Sequence, residues 1–200
     1  MDLKEVFAAF DALPESQKGE VLKDAERLIG GRKFIPNEGP QTAAYFSDAD
    51  VLLFGGSPGG GKTALECGLA LNEHKRSLIV RRNFVDLDGV LHTLQNILGH
   101  SEGLTGGNRP KYETPDRLIH FMGAGEDIGG KQGNPHDLIC VDEAAQLPEQ
   151  QVRMLLGWLR TNVPGQRCRM VLASNPPLDS TGDWMIEFFG PWLDPQHPNP

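Results

Sequence analysis

The chain has 200 residues, of which 38% are apolar, and its formal net charge is −8. This length supports one substantial domain with room for a helical extension. The negative charge disfavours non-specific nucleic-acid binding by a lone domain, because such binding depends on neutralising phosphates. No apolar run reaches membrane length and no signal peptide opens the chain. Three cysteines without zinc-type spacing, Cys67, Cys140 and Cys168, indicate reduced, buried thiols in a cytoplasmic protein.

Residues 3–29 place apolar side chains at helical spacing in two stripes. The first contains Leu3, Val6, Phe7 and Phe10, and the second runs from Val21 to Ile29. Gly30-Gly31 ends the second helix. The pattern predicts an N-terminal helical segment over residues 1–33, followed by a second domain over 34–200. The simpler interpretation is a hairpin that packs on that domain, and the alternative is an arm that contacts a neighbouring molecule.

The strongest functional signal is a phosphate-binding loop that matches G-x-x-x-x-G-K-[ST] in full. An apolar run of strand length, Val51 to Phe54, precedes it, and a stretch with helical spacing follows Thr63. Strand, loop and helix are the required setting, with the phosphates at the positive end of the helix dipole. The predicted nucleotide-binding residues of the loop are Gly56, Ser57, Pro58, Gly59, Gly60, Gly61, Lys62 and Thr63, with Lys62 on the β- and γ-phosphates and Thr63 on Mg²⁺.

Further strands and helices alternate downstream of the loop. The predicted strands are residues 77–80, 117–122, 138–141 and 170–173, and the predicted helices are residues 90–98 and 148–160. Residues 99–116 are rich in glycine and polar side chains, which predicts a loop in which 111–113 pairs with 117–122. Short apolar strands that alternate with helices predict an α/β fold with a mainly parallel sheet covered on both faces.

Two carboxylates end the apolar strand at residues 138–141. Asp142 is placed for the shell of Mg²⁺, and the adjacent Glu143 can polarise the attacking water as a general base. Together with the phosphate loop, this pair indicates the additional-strand, catalytic-glutamate class of P-loop NTPases. We expect the strand at residues 77–80 to be the additional strand, which in that class lies in space between the loop strand and the acidic strand.

Several side chains near the predicted site have weaker support. Asn175 follows the strand at 170–173 and is either a sensor of the γ-phosphate or a turn-forming residue before Pro176. Arg81 and Arg82 end the strand at 77–80, where they either stabilise transition-state charge in their own or a neighbouring site or are simply solvated. Gln41 precedes the first strand, and its amide can recognise the edge of adenine.

The motifs taken together resemble one known family. They are Gly39-Pro40-Gln41, GGSPGGGKT, the strand ending at Arg82, LICVDEAAQLP and VLASNPP, in that order along the chain. They are similar to the N-terminal ATPase domain of the large terminase subunit of tailed bacteriophages and prophages, over roughly residues 34–190.

The resemblance implies a motor that hydrolyses ATP with Mg²⁺ and packages double-stranded DNA into a preformed capsid. Its implied partners are double-stranded DNA, the portal protein, the small terminase subunit and further copies in a ring, in the host cytoplasm and with no membrane. By the same resemblance, Gln41 contacts adenine, Lys62 and Thr63 bind phosphate and Mg²⁺, Asp142 holds the metal, Glu143 is the catalytic base, and Ser174-Asn175 couples hydrolysis to movement.

Two departures from the family pattern stand out. Many members carry a basic residue early in the phosphate loop, where this chain has Ser57 and Pro58, so Arg81 or Arg82 would have to supply that charge. The chain also ends at Pro200, so we expect a truncated ATPase portion without the family's nuclease domain, monomeric when alone. A nucleotide-dependent switch module and a helicase or recombination ATPase remain alternatives, and a catalytic role of Glu143 would argue against the switch.

Overall fold

The computed structural model describes residues 8–125, 128, 134–194 and 196–198. Its contacts divide the chain into one unit up to Lys33 and another from Phe34 onward. The described part of the first unit contains helix α1, Glu15–Ile29, which is followed by Gly31 in the left-handed region at φ 98°. The predicted first apolar stripe begins with Leu3, Val6 and Phe7, and these lie outside the described residues. No described helix is long and apolar enough to cross a bilayer.

The second unit alternates strands and helices, as the hydrophobic pattern predicts. Its helices are α2 Pro40–Tyr45, α3 Lys62–Asn72, α4 Leu87–Leu98, α5 Glu149–Leu156 and α6 Asp183–Leu193. Its strands are β1 Val51–Gly55, β2 Arg76–Arg81, β3 Leu104–Thr105, β4 Lys111–Thr114, β5 Arg117–Gly123, β6 Leu138–Asp142 and β7 Arg169–Ser174.

These strands form one seven-stranded sheet in the order β1-β7-β6-β2-β5-β4-β3. The first five in that order are parallel, and β4 and β3 are added antiparallel at the far edge. The register pairs Gly55 with Ser174, Asp142 with Ala173, and Val80 with Val141. The carboxyl ends of four strands, β1, β7, β6 and β2, therefore meet at one edge of the sheet, where ligands bind in open α/β folds.

Helices cover both faces of the sheet, which confirms the predicted α/β class. On one face, α3 and α4 bury Leu65, Leu69 and Leu94 against the strands. On the other face, α5 and α6 bury Leu155 and Met185. Successive residues of a buried strand serve opposite faces, so both layers need apolar side chains and the strands read as continuous apolar runs.

The strand order corrects one prediction. We expected β2 to lie between the loop strand β1 and the acidic strand β6, but the strand in that position is β7. β2 pairs with the other side of β6 instead. Because a crossover connection can return to either side of its predecessor, order along the chain does not determine order in the sheet.

Two smaller predictions also change. Helix α5 ends at Leu156 rather than Arg160, because the chain beyond it runs beside the start of β6, where Leu159 bridges His136 and the Arg160 N–H donates to the His136 carbonyl. Cys168 lies one residue before β7 and is only half-buried, whereas Cys67 and Cys140 are buried. The predicted pairing of residues 111–113 with 117–122 is confirmed as the β4–β5 hairpin.

Close packing of Phe34 on α3 gives the first testable prediction. A Cβ added at Gly68 would lie 2.0 Å from Cδ1 of Phe34, whereas one added at Gly89 of α4 would meet no atom within 4 Å. We expect Gly68→Ala to lower the free energy of unfolding by about 1–3 kcal/mol, because the ring must move. Gly89→Ala is the matched control and should raise it by about 0.5–1 kcal/mol through helix propensity. Urea denaturation of both variants checks this, and equal effects would contradict it.

Candidate functional site

The phosphate loop has the conformation that its glycines allow. It leaves β1 and enters α3 at Lys62, and Gly56, Gly59 and Gly61 have φ values of 145°, 84° and 71°. Residues with a Cβ rarely adopt such angles. The loop therefore places its backbone beside the first turn of an eleven-residue helix, where free N–H groups attract anions.

Lys62 is held inside the loop by three acceptors. Its Nζ donates to the carbonyl oxygens of Gly56 at 3.1 Å and Ser57 at 2.9 Å, and to Oδ1 of Asn175 at 2.8 Å. The side chain is buried. The structure therefore brings together two of the predicted site residues, and the lysine links the loop to the end of β7.

Asp142 is hydrogen-bonded both to the residue that ends the phosphate loop motif and to the last residue of β2. Its Oδ2 accepts from the Thr63 hydroxyl at 3.0 Å, and from Nε and Nη2 of Arg81 at 3.0 and 2.7 Å. Asp142 is buried, whereas the side chain of Arg81 is 21% exposed. Arg82 points to a different partner, since its Nη1 donates to the carbonyl oxygen of Gln146 at 2.9 Å.

Glu143 has an unusual backbone conformation. At φ 58° and ψ 47° it lies in the left-handed region, and among the described residues it is the one non-glycine residue with a positive φ. Such a conformation costs on the order of 1 kcal/mol and persists where the surroundings impose it, which is frequent at active sites. Ser174 contributes to those surroundings, because its hydroxyl accepts from the N–H of Ala145 and donates to the carbonyl of Asn175.

Gln41 lies against the end of the phosphate loop. Its Oε1 accepts from the N–H of Asn37 at 2.6 Å, and its Nε2 donates to the carbonyl of Gly61 at 2.8 Å. The amide keeps one further lone pair and one further N–H, but the residue is only 4% exposed. Recognition of adenine by Gln41 therefore stays a prediction, while its contact with the loop is a structural fact.

Two cavities border these residues. One of about 340 Å³ lies between Asn37, Gln41 and Phe54 on one side and Gly56, Gly60 and Lys62 on the other. The other, of about 770 Å³, is an apolar groove between β1 and α6, and Asn175 lies at its border. The smaller cavity contains the phosphate loop, so it is the candidate nucleotide site, although the apolar groove is larger.

The residues present fit a magnesium ion that arrives with a nucleotide. Thr63 and Asp142 offer oxygen atoms 3.0 Å apart at the start of α3. Across the described ranges, no group of three or more His, Cys, Asp or Glu side chains could hold a metal by itself. Mg²⁺ commonly takes one or two protein oxygens and completes its shell with phosphates and water, so this donor set suits it.

Glu66 is a site residue that the sequence analysis missed. It lies one turn after Thr63, it is fully buried, and neither carboxyl oxygen has a hydrogen-bond partner. Burial, reinforced by the nearby charge of Asp142, raises the pKa of Glu66 well above its ordinary value, although Arg81 and Lys62 oppose the shift. A signal was available, since Glu66 interrupts an otherwise apolar stretch between Leu65 and Leu69.

Comparisons with known proteins support the fold. No protein-family model and no curated protein sequence matches the chain. Solved large terminases do match, and that of a thermophilic bacteriophage has a TM-score of 0.53 and 19% identity over 71% of this chain and 40% of that one, with a TM-score of 0.52 for its complex with ATP-γ-S. The large terminase of bacteriophage HK97 has a TM-score of 0.56 and 12% identity over 85% of this chain and 42% of that one. A variant of the ATPase domain of Thermus phage P74-26 has a TM-score of 0.50 and 14% identity over 82% of this chain and 73% of that one.

The likeness confirms the predicted resemblance at the level of the fold, which this chain shares with large terminases. With identities of 12–19%, it does not establish their activity for this chain. The chain spans about 40% of the length of the complete large terminases that it matches.

The buried carboxyl group of Glu66 predicts an unusual pH dependence of stability. The folded state holds the Glu66 proton more tightly than the unfolded state does. The stabilisation from this proton is therefore complete below the unfolded pKa, and it is lost as the pH rises toward the folded pKa. Glu66→Gln removes this loss, so the free energy of unfolding of the variant, relative to that of the wild type, should rise with pH and exceed it at pH 7.

Urea denaturation between pH 4.5 and pH 8 measures this difference. The exposed Glu102 lies in a loop, and Glu102→Gln serves as the matched control with no expected pH-dependent gain. A Glu66→Gln variant that is destabilised equally at every pH would show that the carboxyl group has a partner in the folded protein.

Proposed function

We propose that this chain is a Mg²⁺-dependent ATPase that drives double-stranded DNA into a viral capsid, as the motor part of a large terminase. The observation that carries the proposal is the convergence of Lys62, Thr63, Asp142, Glu143 and Asn175 at one edge of the sheet. They come from three separate segments of the chain, and two hydrogen bonds link those segments. Nucleotide binding is further supported by the terminase solved with ATP-γ-S, which shares this fold.

Each residue has a proposed role in hydrolysis. Lys62, now bound to loop carbonyls and Asn175, turns its ammonium group to the β- and γ-phosphates when a nucleotide enters. Thr63 and Asp142 would hold Mg²⁺, which would supply positive charge that stabilises the phosphates during hydrolysis. Glu143 accepts a proton from the attacking water as general base. Arg81 and Arg82 are candidates for stabilising the transition state, and Arg81 already lies in the site of its own chain.

Coupling of hydrolysis to movement is proposed to run through Asn175. Its Oδ1 accepts from Lys62, and its backbone carbonyl accepts from the Ser174 hydroxyl, which also binds the segment after Glu143. A nucleotide that withdraws Lys62 removes one of these links. The end of β7 is therefore placed to respond to the phosphates.

The partners are proposed from the family resemblance. They are double-stranded DNA, the portal protein, the small terminase subunit and further copies of the chain in a ring, in the host cytoplasm. The net charge of −8 gives a single copy little general attraction for DNA phosphates. We therefore propose that DNA is held by several copies together. Residues 34–200 form the proposed ATPase domain, and residues 1–33 form a separate helical segment.

Hydrolysis of ATP, with and without double-stranded DNA, tests the proposed function. We expect Glu143→Gln to retain Mg²⁺-ATP binding and to lose turnover by about 10²–10⁴-fold, which is the usual contribution of a general base. Lys62→Ala should lose nucleotide binding as well, because the phosphates lose a cation. The exposed residue Glu102 provides the control variant Glu102→Gln, which should hydrolyse ATP at the wild-type rate.

Three outcomes distinguish a motor, a nucleotide-dependent switch and a chain that binds no nucleotide. Stimulation of wild-type hydrolysis by double-stranded DNA supports a motor. Normal turnover in Glu143→Gln would remove the general base from the mechanism and favour a switch. Absence of nucleotide binding by the wild type would overturn the proposal altogether.

Gln41 is proposed to contribute to the choice of base. We expect Gln41→Ala to reduce the preference for ATP over GTP by about 3- to 10-fold, the value of one hydrogen bond. Because Gln41 also binds the Gly61 carbonyl, both affinities should fall somewhat. Competition binding with the two nucleotides measures the ratio, and an equal loss for both would leave Gln41 with a role in holding the loop alone.

A further inference from the structure

The two cations of the site are both bound to protein acceptors in this structure. Lys62 is bound by loop carbonyls and Asn175, while Arg81 is bound by Asp142. The Arg81 contact is the more notable, because two nitrogens of one guanidinium reach the same oxygen, Oδ2. That oxygen is the one that the Thr63 hydroxyl also contacts.

We propose that Arg81 is a resident cation, which neutralises Asp142 as long as no divalent cation is bound there and must leave it before Mg²⁺ binds with a nucleotide. The inference rests on the proposed function, since it assigns a further role within the same site. It makes Arg81 a residue that sets the affinity for the divalent cation, in addition to any contact with phosphate.

Electrostatics explains why Asp142 needs a cation beside it. Asp142 is 1% exposed, and a buried carboxylate is costly unless it is paired. Arg81 supplies that pairing through two charge-assisted hydrogen bonds, which are stronger than neutral ones. A divalent cation that approached Asp142 while Arg81 remained would meet a positive group 2.7 Å from the same oxygen. The two cations therefore compete for Asp142.

The backbone geometry allows the Arg81 side chain to move while the strand stays fixed. The backbone carbonyls of Arg81 and Arg82 accept from the N–H groups of Ala124 and Gly125 at 2.7 and 2.8 Å. Arg82 is anchored further by the Gln146 carbonyl. Since the Arg81 side chain is partly exposed, it has a route away from Asp142 through rotation of its own torsions.

A released guanidinium would lie close to the phosphates. Arg81 ends β2 at the same edge of the sheet as the loop, and its planar donors suit phosphate oxygens. Entry of Mg²⁺ would thus free Arg81 from Asp142 to approach the γ-phosphate of ATP, a group that ADP lacks. The charge of Arg81, in contrast to that of Lys62, would then reach the phosphates only when both Mg²⁺ and a nucleotide are bound.

The test measures how much Mg²⁺ improves nucleotide binding. The dissociation constant of a fluorescent ADP is determined with Mg²⁺ and with EDTA, for the wild type, Arg81→Gln, Arg81→Lys and Arg109→Gln. We expect the dissociation constant in EDTA divided by that in Mg²⁺ to rise about tenfold or more in Arg81→Gln, because the charged hydrogen bonds from Arg81 no longer compete with Mg²⁺ for Asp142. Arg81→Lys should stay near the wild type. Arg109 is exposed in the turn before β4, and Arg109→Gln should match the wild type.

A second measurement uses the wild type itself. The Nε–H signal of Arg81 in ¹⁵N nuclear magnetic resonance, assigned through its loss in Arg81→Lys, should shift when ADP and Mg²⁺ are added together. It should stay in place when ADP is added with EDTA. This arm keeps the inference testable if Arg81→Gln does not fold.

The outcomes are distinguishable. An unchanged Mg²⁺ ratio in Arg81→Gln, or an Arg81 signal that ignores Mg²⁺ with ADP, overturns the resident-cation role while the nucleotide site stands. If Arg81→Gln loses ATP turnover while its Mg²⁺ ratio matches that of the wild type, Arg81 acts on the transition state only. That result likewise overturns the resident-cation role. If the wild type binds no nucleotide under either condition, the proposed function fails and this inference fails with it.

Discussion

One hydrogen bond, from the Thr63 hydroxyl to Oδ2 of Asp142, joins the phosphate loop to the acidic strand. Thr63 lies in the first turn of the helix that follows β1, and Asp142 ends β6. These two strands are not adjacent in the sheet, since β7 lies between them. The register of the parallel strands brings them together, because Gly55 pairs with Ser174 and Ala173 pairs with Asp142. The contact of Lys62 with Asn175, at the end of the intervening strand, follows from the same alignment.

The sequence predicts well what depends on local pattern. The phosphate loop, the helix after it and the strand that ends in Asp142 and Glu143 all carry periodicity or motif information within a few residues. The position of β7 between β1 and β6 depends on pairing between distant segments. Both β2 and β7 are largely buried strands with an apolar middle, so composition does not distinguish which of them lies between β1 and β6.

The hydrogen-bond partners of the side chains likewise cannot be predicted from the sequence. The sequence identifies Gln41 by its hydrogen-bonding amide, and the structure gives that amide two partners in the protein, the Asn37 N–H and the Gly61 carbonyl. The sequence identifies Arg81 by its charge, and its pairing with Asp142 rather than with solvent arises from the placement of β2 beside β6. Glu66 interrupts an apolar stretch, which is a local signal, but the complete burial of its carboxyl group without a hydrogen-bond partner depends on the packing around α3.

The span of chain between paired residues has a consequence for folding. Thr63 and Asp142 are 79 residues apart, and Lys62 and Asn175 are 113 apart. Contacts of such sequence separation carry a large loop-closure cost and are slow to form. A partly folded chain that already contains the β1–loop–α3 segment would still lack both links. A ligand that contacts all of these segments at once binds the completed fold and not its precursors, so it shifts the folding equilibrium by mass action. In the proposed function, a nucleotide would then act on this chain as a folding ligand as well as a substrate.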